Sequence, residues 1–427
     1  MKISIIGSGY VGAVTAACFA DVGHEVICVD IDEKKVQQIN EGIPPIYEEG
    51  LEELLKKYSG KRLIATTDYK YAVLNTDISF ICVGTPSEED GSINLSIVRA
   101  AAESIGLALA KKNGYHVVVV KSTVVPETTE KFVLPVLEEK SGKTAGKDFG
   151  VAMNPEFLRE GKAIYDFRHP DKIVVGSIDT RSGKLVSELY RNFECEITLT
   201  NPRTAEMIKY VNNSFLATKI SFSNEIGNIC KKLKIDTYEV MKAVGKDSRI
   251  SPLFLNSGAG FGGSCFPKDV RALISKAKDI GYVPVLLESV IAVNEKQPLL
   301  MTELLQKKIG SLEGKKIAVL GLAFKNDTDD IRESRAIPVI AELLRLGAKV
   351  SAYDPLAVEN MRRVFPTISY HNSAKEALKG ADACLVVTEW DVFKKLDSEF
   401  EVMKSKTVID GRKVITAKGI DYEGICW

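Results

Sequence analysis

Cys265 closes a run of small residues, Gly258-Ala259-Gly260-Phe261-Gly262-Gly263-Ser264, and is followed by Phe266-Pro267-Lys268-Asp269. Glycines let a backbone approach a ligand that side chains would hold off, and Pro267 ahead of Asp269-Val270-Arg271-Ala272-Leu273 predicts a helix start. A thiol at such a start meets the positive end of the helix dipole, which favours its thiolate, while the carboxylate of Asp269 one turn on opposes it. The chemistry on offer is attack on a carbonyl and an oxidation that passes through a covalent thioester. Taken alone, a cysteine is more often a small buried hydrophobe than a nucleophile, so its neighbours must decide.

Four further constellations have the residue types for the rest of such a reaction. Gly7-Ser8-Gly9-Tyr10-Val11-Gly12 lies between a strand pattern and a helix pattern, where its glycines permit a tight turn, the approach of a pyrophosphate and close helix packing. The phosphates would rest on the helix N-terminus, and Asp30, ending the second strand, would accept ribose hydroxyls and repel a 2′-phosphate, which favours NAD over NADP. Val83-Gly84-Thr85-Pro86 and Lys121-Ser122-Thr123-Val124-Val125-Pro126 each follow an apolar strand, at the sheet edge where ligands bind. Thr85 and Thr123 can touch a ligand there or simply cap the next helix. In Asn154-Pro155-Glu156-Phe157-Leu158-Arg159-Glu160-Gly161, Glu156 and Glu160 share one face if the segment is helical, either to order water and protons or as a favourable first-turn charge. Lys209 and Asn213, also four apart, can both donate to a substrate oxygen, or else belong to a solvated helix face.

These groups need elements to hold them. Lys2 to Ile6 reads as a strand, Ala13 to Val22 as a helix and Glu25 to Asp30 as a second strand, with buried-strand runs at Asp77 to Val83, Tyr115 to Lys121 and Phe149 to Met153. Strands alternating with helices imply an α/β, doubly wound parallel sheet covered on both faces. From Pro202, Met207, Ile208, Val211, Phe215, Leu216, Ile220, Phe222, Ile226 and Ile229 recur at helical spacing, a stripe that serves a core or a subunit interface. A second helical run, Val285 to Lys308, carries Pro298 as a break. After Gly314 the alternation returns, with strands at Lys316 to Gly321, Lys349 to Tyr353, Ala383 to Val387 and Thr407 to Asp410 and a helix at Ile337 to Leu346. The expected divisions are 1–200, 201–310 and 311–427: two doubly wound Rossmann-like domains joined by a long helical dimerisation segment. The turn Gly321-Leu322-Ala323-Phe324-Lys325 lacks GxGxxG spacing, so the last domain should take a different ligand from the first.

Composition narrows the class. The 427 residues are 45% hydrophobic, enough for two or three cores, and Lys plus Arg balance Asp plus Glu at 57 each, which gives no global charge for nucleic acid or an anionic membrane. Eight cysteines without CxxC spacing fit reduced thiols in a cytoplasm. The apolar N-terminus is not read as a secretion signal, because Gly7, Ser8, Gly9 and Gly12 break it. No apolar stretch is long enough to cross a bilayer, and the four histidines show no metal-ligand spacing.

With Gly7 to Gly12, Asn154 to Gly161, Lys209 to Asn213, Gly260 to Asp269, and Lys325 with Arg332-Glu333-Ser334 in this order, the sequence resembles the UDP-glucose/GDP-mannose 6-dehydrogenase family over nearly its whole length. The resemblance implies an NAD domain, a dimerising middle and a domain gripping the nucleotide of a sugar nucleotide. It implies Cys265 as nucleophile, Lys209 and Asn213 on the C6 oxygen, and Asp269, Thr123 and Glu156 ordering water and protons. NAD would be held by Gly7, Gly9, Tyr10, Val11, Gly12, Asp30, Lys35, Thr85, Thr123, Glu160 and Lys268. The sugar nucleotide would meet Glu156, Phe157, Leu158, Lys209, Asn213, Phe254, Gly262, Lys325 and Arg412, with Arg249 reaching across from the partner of a homodimer. No metal is implied.

Two hydrides per sugar and a uronic acid product follow from that resemblance. Gly262-Gly263-Ser264-Cys265, in place of the Gly-Gly-His-Cys form of relatives acting on N-acetylated sugars, puts UDP-glucose first and GDP-mannose second. A two-electron hydroxyacid dehydrogenase would need the dinucleotide fold and a Lys209/Asn213-like pair but no thiol and no third domain. A non-catalytic nucleotide-binding regulator would bind both ligands without turnover.

Overall fold

The computed structural model describes all residues, 1–427, and divides them into two compact units, Met1–Asn212 and Asn213–Trp427. In the first unit the strands are β1 (Lys2–Ile6), β2 (Glu25–Val29), β3 (Leu63–Thr66), β4 (Ile78–Ile81), β5 (Val117–Val120), β6 (Gly150–Met153), β7 (Lys172–Ser177) and β8 (Glu196–Thr200). They form one sheet in the order β3-β2-β1-β4-β5-β6-β7-β8. All pairings are parallel except β6 with β7, which is antiparallel. β4, β5 and β6 are buried along their whole length, because helices cover both faces and leave no polar side to alternate toward. The chain order reverses direction between β1 and β4, the switch point at which the carboxyl ends of strands open a crevice.

The second unit carries a six-stranded, all-parallel sheet in the order β11-β10-β9-β12-β13-β14. Its strands are β9 (Lys316–Leu320), β10 (Lys349–Tyr353), β11 (Ser369–Tyr370), β12 (Ala383–Val386), β13 (Thr407–Asp410) and β14 (Asp421–Gly424). It repeats the switch-point arrangement of the first sheet, between β9 and β12. Ahead of it lie helices Phe266–Asp279, Val285–Lys296 and Leu299–Ile309. The last two are separated at Gln297-Pro298, where a proline ring cannot fit inside a helix.

One helix, Pro202–Leu233, runs through the boundary between the units, about 48 Å at 1.5 Å per residue. Its amphipathicity is inverted. Met207, Val211, Phe215, Phe222, Ile229 and Leu233 are exposed, while Glu206, Lys209, Asn213, Ser214, Ser221, Ser223 and Asn224 are buried. The solvated-face reading of Lys209 and Asn213 is therefore wrong, and the apolar stripe is not the chain's own core. No helix is long and apolar enough to cross a membrane.

Candidate active site

In the first unit, helix Tyr10–Asp21 starts three residues earlier than the apolar pattern suggested, directly on the glycine turn. Gly9 is its cap residue and no side chain caps it, so the first N–H groups are left for an anion. Gly7 has φ +98°, a Cβ on Gly12 would lie 1.8 Å from the Gly7 carbonyl oxygen, and a Cβ on Gly9 would meet nothing within 4 Å. Each glycine thus has a separate use: reversal, packing and open approach. Asp30 accepts from the Ser8 N–H at 2.7 Å and the Ser8 hydroxyl at 2.6 Å, and its other oxygen from the Asp32 N–H at 3.0 Å. Burial pushes its carboxyl up, but these bonds and the charge of Lys35 outweigh that and keep it below the ordinary carboxylate range. A dinucleotide fits this cradle: bare N–H groups for the pyrophosphate, an ionised acid for the ribose.

The hydroxyl of Thr85 donates to the carbonyl of Thr123 at 3.0 Å, which ties the loops after β4 and β5 together; it caps no helix. The segment 154–160 is an irregular loop, so Glu156 and Glu160 do not share a helical face. Two local causes act. Asn154 precedes Pro155, which disfavours the helical region, and the Glu156 carboxylate accepts from the Leu158 N–H at 2.7 Å, offering the backbone an alternative to a helix.

Glu156 instead forms a buried ion pair with Lys209, 2.8 Å apart, with side chains 6% and 4% exposed. Burial raises the Glu156 carboxyl, and Lys209, the Leu158 N–H and Lys121 more than reverse this, so it stays ionised. Lys209 also stands 5.5 Å from the centroid of the Phe157 ring. Lys121, absent from the expected site, is buried, with its Nζ 3.0 Å from Asn154 Oδ1. Burial pushes its ammonium down to about 8 against the opposing pull of Cys82 and Glu156. The signal available was a lysine following an all-valine strand at the carboxyl edge of a sheet.

In the second unit, Cys265 is the cap residue of helix Phe266–Asp279 and is exposed. Its Sγ lies 3.6 Å from the Ser264 hydroxyl. Asp269, one turn into the helix and 1% exposed, is held by Lys268 Nζ at 2.6 Å and by Asn213 Nδ2 at 2.6 Å. Lys268, expected on the coenzyme, is thus engaged with Asp269 here. The glycine loop is clamped from beneath: Asn294 accepts from the Phe261 N–H at 2.8 Å and donates to its carbonyl at 3.0 Å. Gly260 and Gly263 have φ +99° and +84°, and a Cβ on Gly262 would lie 2.2 Å from the Glu333 carbonyl oxygen. The sequence offered no sign of Asn294.

Arg412, expected on the substrate, donates to the carbonyls of Gly260 and Val387 at 2.9 Å each and so supports this loop. Lys325 stands 5.7 Å from the Phe324 ring, on the same turn that packs against Gly263. Phe254, at φ +62°, meets Phe266 edge-to-face. Arg249, 86% exposed, pairs with Asp247 on the surface of its own unit.

The dinucleotide cradle of the first unit, with its ionised acid for a ribose, defines the class: a nicotinamide-dependent dehydrogenase. Residues 1–194 match the NAD binding domain of the UDP-glucose/GDP-mannose dehydrogenase family, 203–296 its central domain and 318–417 its UDP binding domain. Over the whole of both chains the sequence is 52% identical to a UDP-glucose 6-dehydrogenase of Haloferax volcanii. It is 41% identical, again over the whole of both, to a GDP-mannose 6-dehydrogenase of Pseudomonas syringae pv. syringae. The structure matches that of a UDP-glucose dehydrogenase from the hyperthermophilic archaeon Pyrobaculum islandicum with a TM-score of 0.95 at 42% identity, covering 100% of this chain and 98% of that one. The chain belongs to the UDP-glucose/GDP-mannose dehydrogenase family. It is an oxidoreductase and its cofactor is NAD.

Proposed function

We propose that this dehydrogenase oxidises the C6 alcohol of UDP-glucose to the carboxylate of UDP-glucuronate in two successive two-electron steps through Cys265. The observation that carries the proposal is the contrast among the thiols. Burial pushes Cys18, Cys28, Cys82, Cys384 and Cys426 up, whereas Cys265 is exposed at a helix start on a loop of close-packed glycines. Full-length similarity to UDP-glucose 6-dehydrogenases supports the substrate.

Gly7 to Gly12, with Tyr10, Val11, Asp30, Lys35, Thr85, Thr123, Glu160 and Lys268, would hold NAD, which would supply the hydride acceptor, two molecules per sugar. Lys209 and Asn213 donate to the C6 oxygen and stabilise the alkoxide from which hydride departs. Cys265 then adds to the aldehyde carbon and gives a thiohemiacetal, whose loss of a second hydride leaves a thioester. Water, ordered by Thr123 and Glu156 and relieved of its proton by Asp269, cleaves the C–S bond and frees the thiol and the carboxylate. Phe157, Leu158, Phe254, Gly262, Lys325 and Arg412 hold the sugar nucleotide.

The exposed apolar stripe of helix Pro202–Leu233 supports a homodimer, because six large apolar residues on one solvent face of a helix mark an interface. Arg249 of one subunit would then reach the site of its partner. Eight free thiols fit a reducing cytoplasm.

The test is a panel of sugar nucleotides with NAD or NADP, scored for NADH per sugar and product oxidation level. Two NADH and a uronate from UDP-glucose are expected. Preference for GDP-mannose would move the substrate. A ratio of one, unchanged in Cys265→Ser, would replace the reading with a two-electron hydroxyacid dehydrogenase.

A further inference from the structure

Glu48 lies in the irregular segment ahead of helix Leu51–Tyr58 and is 6% exposed. Its carboxylate accepts from the Gly161 N–H at 2.8 Å and the Ala163 N–H at 2.6 Å, and from the phenol of Tyr10. The Gly161 N–H also reaches the Tyr10 oxygen at 3.0 Å. Tyr10 is the first residue of the helix that follows Gly7-Ser8-Gly9, so its position reports on the phosphate turn. Gly161, at φ +80°, ends the loop that begins at Asn154 and carries Glu156, the partner of Lys209. One buried carboxylate therefore holds the entrance of the coenzyme helix and the exit of the acid loop. Burial, reinforced by Glu48, pushes the Tyr10 phenol far above its ordinary value, so it remains a donor at any working pH.

A carboxylate is the group this place requires. Three donors converge on it, and ionised acceptors make the stronger hydrogen bonds. A glutamine would turn an NH2 toward at least one of those donors, and an unmade buried bond is costly.

The geometry points to Glu48 as a positioning residue that couples the coenzyme turn to the acid loop, so that filling either seat sets the other. This rests on the assignment of NAD to Gly7–Gly12 and of the sugar nucleotide to the loop 154–161. Glu48 itself contacts neither. Coenzyme phosphates seated on the turn order Tyr10, Tyr10 orders Glu48, and Glu48 fixes Gly161 and with it the loop that presents Glu156. By reciprocity a sugar nucleotide on that loop tightens the coenzyme by the same factor.

The experiment uses the full chain, with NADH and UDP-glucose as a non-reacting pair, and measures the dissociation constant of UDP-glucose by calorimetry with and without saturating NADH. In the parent protein NADH is expected to tighten UDP-glucose by about tenfold, within the usual range of coupling between sites. In Glu48→Gln and in Tyr10→Phe that factor should fall to about one, and the double variant should show no further loss. A parent factor of one, a factor retained in either variant, or losses that multiply in the double variant would overturn the inference. Should Glu48→Gln fail to fold, Tyr10→Phe carries the test, since it leaves the Gly161 and Ala163 N–H groups their acceptor. Failure of the functional reading looks different: the parent would not reduce NAD with UDP-glucose at all.

Discussion

Replacing Glu156 with Gln removes a carboxylate that faces two buried ammonium groups. Lys209 is 2.8 Å away, and Lys121, itself buried, acts on the same carboxylate through its charge. Taking one partner from a buried pair costs about 3–5 kcal/mol, because the remaining charge is left uncompensated. The two possible deletions are unequal. Lys209→Met leaves Glu156 with Lys121 still beside it and should fall near ~3 kcal/mol, whereas Glu156→Gln leaves two like charges and should approach ~5 kcal/mol. For a unit of 212 residues, at about 2–4 °C per kcal/mol, the transition should drop by roughly 6–12 °C and 10–20 °C respectively.

The pH dependence sharpens this test. Lys121 is already pushed down to about 8, and losing Glu156 lowers it further. A lysine depressed in the folded state makes the unfolded chain bind more protons, so stability rises with pH through that window. The deficit of Glu156→Gln should therefore be deeper at pH ~6 than at pH ~9, where Lys121 has released its proton. As pH falls below the ordinary carboxylate value and through the still lower folded pKa of Glu156, the parent loses the contribution of that carboxylate and the deficit should close. Scanning calorimetry on both variants across that range is the assay. A loss for Lys209→Met equal to or larger than that for Glu156→Gln, or a deficit that does not change with pH, would refute the idea of a carboxylate shared by two cations.

Cys265→Ser should reduce the yield from two NADH per UDP-glucose to one or fewer and leave product at the aldehyde level, read by NADH absorbance and carbonyl trapping; an undiminished uronate yield would exclude the thioester. Gly12→Ala puts a methyl 1.8 Å from a carbonyl oxygen, so the turn must open at a cost of about 3 kcal/mol or more, and NADH fluorescence titration should show binding lost in whatever protein folds. Glu206, buried at the start of the long helix, accepts from the Glu127 and Thr129 N–H groups at 2.7 and 2.8 Å, and burial raises it from 4.5 to about 7. An acid raised in the folded state binds its proton more tightly there, so stability should decline as pH rises from 4.5 to about 7, by on the order of 3 kcal/mol. Denaturant titrations of Glu206→Gln across that window should lose this slope; a slope unchanged from the parent would remove Glu206 as its source.

What the sequence could disclose depended on whether the cause of a feature was local. β5 was legible as an unbroken valine run, and β1 and β4 as apolar runs interrupted by a single serine, because strands buried on both faces have no polar side. β8, half-exposed at the sheet edge, and β7, which opens on a lysine and joins β6 antiparallel, gave no such run. The glycine turn was legible because Gly7 and Gly12 answer steric demands of the local backbone and Gly9 leaves open space beside them. Glu48, Lys121 and Asn294 were not, because nothing in a residue's type announces that a tertiary structure will bury it among partners far along the chain. In the loop 154–161 the four-residue spacing of Glu156 and Glu160 would put both on one face only in a helix, and Pro155 and the Glu156-to-Leu158 bond prevent one.

The long helix shows where a periodicity argument stops. Spacing of apolar residues in Pro202–Leu233 correctly gives a helix and a single apolar face, yet periodicity cannot say whose core that face serves. In the structure the polar face is the buried one: Lys209 needs Glu156, Asn213 needs Asp269 and Glu206 needs two N–H groups, none of which a solvent-facing stripe would supply. Burial of the charged and amide groups Glu206, Lys209 and Asn213 is tolerable because each of these three is satisfied, and this leaves the apolar residues outward. Buried polar pairs on one face and exposed apolar residues on the other are thus a single constraint on one helix. Under the proposed homodimer, a charge placed at Phe215 or Phe222 should shift light scattering from dimer to monomer while leaving the Glu156–Lys209 pair intact, and a variant that stays dimeric would mean that this stripe is not the interface.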